Sequence, residues 1–281
     1  MIRTIDTDLV IRTIKEMCIE ANYSLSEDMK QCLQEARQSE QSELGTKILD
    51  QLADNLEIAE AEMIPICQDT GMAIVFMEIG QDVHFEGSPI EDAVNEGVRR
   101  GYTEGYLRKS VVSDPILREN TKDNTPAIIH YSIVPGDQVK ITFAPKGFGS
   151  ENMSRIFMLK PSDGIEGIKQ AVLSAVSDAG PNACPPMAVG VGIGGDFEKA
   201  AILAKRALTR DAGEHSPIPH ICRLELELLE KINRLGIGPG GLGGNVTALS
   251  VGILTYPTHI AGLPVAVNIC CHANRHVVRT I

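Results

Sequence analysis

Residues 127–144 read Ala-Ile-Ile-His-Tyr-Ser-Ile-Val-Pro-Gly-Asp-Gln-Val-Lys-Ile-Thr-Phe-Ala, two short apolar runs on either side of a Pro-Gly-Asp turn signal. Runs of this length, rich in β-branched residues and bounded by turn formers, are strands. Pro135-Gly136-Asp137 predicts a hairpin joining 127–134 to 139–144, and hence a sheet that is at least partly antiparallel. Working outward, the same texture gives strands at 72–79 and 187–193. Two further apolar segments, 246–255 and 264–269, are broken by Pro257-Thr258-His259. Helical periodicity separates these strands at 91–107, 165–178, 197–208 and 220–235.

The first 62 residues carry apolar positions at three- and four-residue spacing over 8–21, 26–39 and 43–62, which predicts three helices. Ser24 followed by Glu27 reads as a capping box opening the second. The expectation is a single α+β domain over 1–281, a mixed, partly antiparallel sheet flanked by helices. Residues 1–62 form its helical appendage and 63–281 its core.

Composition narrows the function. With 281 residues and 43% hydrophobic content the chain can bury a substantial core. A formal charge of -11 leaves no basic surface to follow a phosphate backbone or an anionic membrane, so neither nucleic acid nor membrane is an expected partner. No run of about 18 apolar residues is present, and Asp6 and Asp8 lie close behind Met1 where a signal peptide would have its apolar core. A cytoplasmic protein is expected. Seven cysteines, an odd number, fit buried thiols or metal ligands better than a disulfide framework.

Three cysteine segments stand out. Cys67-Gln68-Asp69-Thr70-Gly71 lies between a helix and a strand, where a thiol can meet a ligand while its flanks hold it rigid. Taken alone, the segment is better accounted for by a buried thiol followed by an Asx-type turn. In Asn182-Ala183-Cys184-Pro185-Pro186 the two prolines stiffen the backbone, as suits a fixed ligand or a plain loop before a strand. Cys270-Cys271-His272 ends an apolar strand, and adjacent side chains there leave opposite faces, so one thiol at most faces a given site. Cys18, Cys32 and Cys222 fall within amphipathic helices and read as small buried hydrophobes. None forms a CxxC pair, and the spacing is neither that of a zinc ribbon nor that of a ferredoxin.

Gly190-Val191-Gly192-Ile193-Gly194-Gly195 matches G-x-G-x-x-G literally, but no parallel strand with a terminal acidic residue is evident after the next helix. Gly240-Gly241-Leu242-Gly243-Gly244 lacks the Lys-Ser/Thr of a phosphate loop and reads as a place of close backbone approach. Lys146 to Glu151 is either an anion-binding nest or a strand-exit turn. Arg108 is either a solvated surface residue or a carboxylate ligand. His259, in the break between two apolar segments, is the best-placed general acid or base among seven histidines.

Taken in order, Cys67 to Gly71, Leu107-Arg108-Lys109-Ser110, Asn124-Thr125-Pro126, Lys146 to Glu151, Asn182 to Pro186, Gly190 to Gly195, Leu235 to Gly244, and Cys271 with Arg275 resemble the iron–sulfur-dependent fumarase and tartrate dehydratase family. The likeness runs from about Ile48 to the C-terminus. It implies a [4Fe-4S] cluster on Cys67, Cys184 and Cys271, with a fourth iron free to bind substrate. It further implies that Gln68, Asp69, Arg108, Gly149 and His259 line the pocket, with Asp69 and His259 handling protons. Phe148 stands where relatives commonly have a glycine.

Single-chain members of that family carry a second domain beyond this region, so the resemblance implies a separate beta subunit, in a heterotetramer or larger assembly. The implied activity is reversible hydration of fumarate, a small dicarboxylate, to L-malate. An L-tartrate dehydratase alpha subunit is the alternative within the family, and a nucleotide-dependent oxidoreductase built on Gly190 to Gly195 the alternative outside it.

Overall fold

A computed structural model describes residues 2–281, which divide into two compact units. The first comprises the chain up to Ser26, Leu56–Phe148 and Arg275–Ile281; the second comprises Glu27–Asn55 and Gly149–Asn274. Each holds a four-stranded mixed sheet flanked by helices, as the α+β reading expects.

In the first unit, β1 (Arg3–Asp6) leads into α1 (Thr7–Tyr23), and β2 (Met72–Gly80) is followed by β3 (Val83–Glu86) and α4 (Ile90–Glu104). Strands β4 (Ile128–Val134), β5 (Val139–Lys146) and β10 (Val277–Thr280) complete the sheet, in the order β10-β5-β2-β4. The expected hairpin does not form. β2 lies between β4 and β5, parallel to one and antiparallel to the other. The turn at Pro135-Gly136-Asp137 bridges over the end of β2 instead. The Gly80 N–H donates to the Gln138 carbonyl (2.8 Å), and a Cβ on Gly80 would lie 2.4 Å from the Gly136 carbonyl oxygen. The turn is present, but the strand inserted between its arms pairs with residues 54 positions further along, beyond the reach of a local signal.

The helical N-terminus is divided. Val10, Ile14, Met17 and Cys18 of α1 share a core with Val94, Val98 and Tyr102 of α4 and with Val75, Met77, Ile141 and Phe143 of the sheet. Gly97 and Gly101 let the two helices close up, since a Cβ at either would come within 2.7 Å of Ile14 or Cys18. Ser24 closes α1, its N–H donating to the Glu20 carbonyl, rather than opening the next helix as predicted. That helix, α2 (Glu27–Ser39), begins at an acidic pair and belongs to the second unit with the first part of α3 (Glu43–Glu62).

The second unit's sheet runs β6 (Arg155–Leu159), β9 (Leu263–Cys270), β7 (Met187–Gly194), β8 (Ala248–Tyr256), with β7 and β8 parallel and the other pairs antiparallel. Helices α6 (Gly164–Ala179) and α8 (Pro219–Asn233) bury Val172, Val176, Leu224 and Leu228 against Val189, Val191, Val267 and Ile269. The period-two alternation of β7 turns Gly190 and Gly192 to the other face, under α7 (Phe197–Ala207). A Cβ on Gly190 would lie 2.2 Å from the Ala204 carbonyl oxygen, and one on Gly192 would lie 2.0 Å from that of Ala200. These glycines admit helix backbone. The first turn of α7 is capped from within, by the Asp196 carboxylate accepting from the Lys199 N–H (2.8 Å). β8 ends in Thr255 and Tyr256, without the acidic residue a dinucleotide site uses.

If close packing is what Gly192 serves, Gly192→Ala should destabilise the chain by about 1–3 kcal/mol or prevent folding, as overpacking against a fixed backbone does. Denaturant unfolding of wild type and variant checks this, and an unchanged midpoint would contradict it.

Candidate functional site

The first unit supplies the Cys67 loop. Its backbone has no ladder partner, so its polar groups must be satisfied otherwise. The Tyr102 hydroxyl, fully buried, donates toward the carbonyls of Thr70 (2.8 Å) and Gly71 (3.0 Å). Burial pushes that phenol well above its usual pKa, so it stays a donor. Asn124, also buried, donates Nδ2–H to the Gly71 carbonyl (3.1 Å) and accepts the Ser110 N–H (2.7 Å). Arg275 is 2% exposed and divides its guanidinium between the Asp69 carbonyl (2.9 Å) and Asn22 Oδ1 (2.8 Å). Asn22 in turn accepts the Ile66 N–H at its own carbonyl (2.9 Å).

Side chains of the loop complete the frame. Asp69 accepts the Gly71 N–H at one oxygen (3.0 Å) and the Phe148 N–H at the other (2.9 Å). Thr70 Oγ1 accepts the Arg108 N–H (2.9 Å), which sets the start of the Arg108 segment. Gly71, at φ +76°, passes so close to Lys146 that a Cβ would meet its backbone at 2.7 Å. Cys67 is half-buried with its thiol toward Gln68 Oε1 (3.3 Å), Gln68 itself is exposed, and the exposed Arg108 guanidinium has no partner among the described residues. Lys146 is buried. The Phe148 amide, at the position where relatives commonly have a glycine, is occupied by the Asp69 carboxylate.

The second unit supplies Cys184 and Cys271. Cys184 is exposed and left-handed at φ 51°, ψ 63°, a conformation that costs a non-glycine residue of order 1 kcal/mol and aims its side chain. His272 Nδ1 lies 3.2 Å from the Cys184 carbonyl oxygen, which ties the residue after Cys271 to the Cys184 loop. Cys271 is half-buried, whereas Cys270 is 3% exposed and packs with Ala188 and Leu208. The two thiols thus differ in burial, although β9 ends at Cys270 and Cys271 lies just beyond it rather than on the opposite face of the strand. The glycine-rich loop lies against the same segment: the Gly240 N–H donates to the Pro185 carbonyl (2.9 Å), and a Cβ on Gly241 would come within 2.3 Å of Pro181.

Gly149 is exposed and open, with nothing within 4 Å of a Cβ placed on it. Glu151 pairs with Lys205 and accepts from Asn268 Nδ2 (3.0 Å). His259 is exposed, its Nδ1 accepting the Ala261 N–H (3.2 Å). It follows the end of β8, which lies beside the end of β7, where the Gly195 N–H donates to the Pro257 carbonyl, whereas Cys270 pairs with Ala188 at the other end of β7. The intervening strand is about 23 Å long at 3.3 Å per residue. The second unit therefore does not bring His259 together with its own Cys184 and Cys271.

Cys18 and Cys32 are poor ligands. Burial raises both thiols, Cys18 strongly and Cys32, beside the Glu35 and Asp28 carboxylates, to about 11. Tyr102, Asn22 and the detailed part played by Arg275 were not legible in advance, because each reaches its partner across a long stretch of chain. Among the described residues no helix is long and apolar enough to cross a membrane.

The family model described as fumarate hydratase (Fumerase) matches residues 11–280. The chain is 45% identical over 281 residues to a putative L(+)-tartrate dehydratase subunit alpha of Methanocaldococcus jannaschii, covering 98% of this chain and 97% of that protein. It is 33% identical over 254 residues to the L(+)-tartrate dehydratase subunit alpha of Escherichia coli K12, covering 89% and 84%. A match that takes in both cysteine-bearing units and the segment that carries Arg275 leaves one conclusion: the chain belongs to the fumarate hydratase family of hydro-lyases, as an alpha-type subunit.

Proposed function

We propose that this chain is the iron–sulfur-bearing alpha subunit of a hydro-lyase that adds water reversibly to fumarate, giving L-malate. The observation that carries the reading is the sorting of the cysteines. Cys18 and Cys270 are buried in cores and Cys32 and Cys222 are half-buried on helices, whereas Cys67, Cys184 and Cys271 stand half-buried or exposed on irregular backbone. Three such thiols fit a [4Fe-4S] cluster and leave one iron without a protein ligand. When bound, the cluster would supply a Lewis-acidic iron to polarise the C–O bond that forms or breaks.

The chain's own residues would hold and orient the dicarboxylate. Arg108, whose exposed guanidinium has no partner among the described residues, suits a substrate carboxylate, and Gln68 and the open backbone at Gly149 add neutral hydrogen-bonding groups. Asp69 remains the proton-handling candidate of this chain. One lone pair of each oxygen is engaged by an amide, which fixes the carboxylate and leaves a second lone pair on each. His259 stands a strand's length from Cys184 and Cys271, so a proton-transfer role for it requires a site to which another chain contributes.

The relatives' description as subunits alpha supports a beta subunit as partner, and the proposed assembly is a heterotetramer or larger. Their description as L(+)-tartrate dehydratases favours a second reading, in which the substrate is L(+)-tartrate and the chemistry is the same. The nucleotide-dependent alternative loses its footing with Gly190 and Gly192 packed under α7.

Mixing the anaerobically prepared chain with a beta subunit of this family and following fumarate and L(+)-tartrate in parallel tests the proposal. The expected result is negligible turnover by the chain alone and hydratase activity with fumarate in the mixture. Turnover of tartrate alone would select the second reading, and full activity of the isolated chain would contradict the need for a partner.

The two adjacent cysteines give an internal control. Cys271→Ser should lose the cluster and activity together, whereas Cys270→Ser should keep both and lose roughly 1 kcal/mol of stability, for a hydroxyl set among Ala188 and Leu208. Iron content and unfolding midpoints decide it. An intact cluster in Cys271→Ser with loss in Cys270→Ser would show that Cys270 rather than Cys271 meets the cluster.

A further inference from the structure

Glu40 follows α2 and is 9% exposed, yet it has no cationic partner among the described residues. Its carboxylate accepts backbone N–H groups instead: Gln41 (2.9 Å) and Ser42 (2.8 Å) before α3, Val246 (2.9 Å), and Asn245, whose N–H lies 3.1 Å from both oxygens. Two glycines make room for it. A Cβ on Gly45 would come within 2.9 Å of the side chain, and one on Gly244, at φ +132°, within 2.8 Å of its oxygens. The Asn245 side chain repeats the bridge, accepting the Gln41 N–H (2.7 Å) and donating to the Ser39 carbonyl (3.0 Å). Desolvation would raise the Glu40 pKa, but the amides of Ser42, Asn245, Val246 and Gln41 outweigh it and hold the group below the usual carboxylate range.

What this carboxylate fixes is the exit of the glycine-rich loop. That loop touches the Cys184 segment at three points: the Gly240 N–H on the Pro185 carbonyl (2.9 Å), Gly241 against Pro181, and the Thr247 carbonyl accepting the Met187 N–H (2.9 Å). A loop with positive φ at Gly236, Gly238, Gly240, Gly241, Gly243 and Gly244 has little conformational preference of its own to hold those contacts. We propose that Glu40 is a positioning residue for Cys184, holding the glycine-rich loop that in turn sets the left-handed backbone on which this thiol is presented. As a statement about catalysis it rests on the reading of Cys184 as a cluster ligand.

The test uses the full-length chain. In the cluster-free protein, Glu40→Gln leaves one oxygen and an amide donor facing backbone donors, so hydrogen exchange over residues 181–187 should accelerate about tenfold while β2 peptides keep wild-type rates. Glu40→Asp, which keeps the charge, should restore part of the protection, and its exchange pattern stands in if the Gln variant does not fold. After anaerobic reconstitution, Glu40→Gln should release iron to a chelator several-fold faster, read as bleaching of the visible absorbance. Wild-type exchange at 181–187 in both variants would overturn the proposal. A wild-type chain that takes up no iron, with accelerated exchange in Glu40→Gln, would overturn the cluster reading and support the loop coupling.

Discussion

Three successive carbonyls, those of Asp69, Thr70 and Gly71, are each bound by a buried side chain from elsewhere in the first unit: Arg275, Tyr102 and Asn124. A loop that must leave a thiol accessible cannot be paired as a strand, and its backbone polar groups cannot be left empty beside a core. Leaving one such group unsatisfied costs about 1–3 kcal/mol, so each of these side chains is worth more to the loop than its own net hydrogen bond. The consequence reaches the chain's end. Arg275 belongs to the first unit because its guanidinium is spent on Asp69 and Asn22, and β10 follows it into the sheet beside β5.

The second unit meets the same constraint differently. The Cys184 segment is gripped by close backbone approach, with Pro181 and Pro185 on one side and glycines on the other. Glycine permits the approach and gives up stiffness in return. Glu40 replaces that stiffness by gathering amides from both ends of the junction onto one carboxylate. In both units a cysteine sits on irregular backbone that buried polar side chains, three in the first unit and Glu40 in the second, hold in place of regular structure.

Most helices and strands were legible, because their periodicities of three to four and of two are local properties of the chain. The difference in burial between Cys270 and Cys271 was legible, although it arises where β9 ends rather than from alternation along it. The hairpin was not: Pro135-Gly136-Asp137 announces a turn, but nothing local shows that β2 will be inserted between the strands it joins. Gly190 and Gly192 match a nucleotide motif because both uses need a backbone without side chains; only the position of α7 tells them apart. The cysteine loops were located by resemblance, while the groups that hold them, Asn22, Tyr102 and Glu40, lie far away in sequence and have no motif. The departure at Phe148 acquires a meaning only in three dimensions, where its amide is already bound to Asp69.

The account depends on Cys67, Cys184 and Cys271 holding one cluster with a single iron left open to substrate. Mössbauer spectroscopy of the anaerobically purified, iron-57-enriched chain, with chemical iron and sulfide analysis, tests this most directly. The account predicts about four irons and as many sulfides per chain, with one iron site distinguishable from the other three. A colourless protein holding zinc, or a cluster whose irons all remain alike when substrate and beta subunit are added, would contradict it.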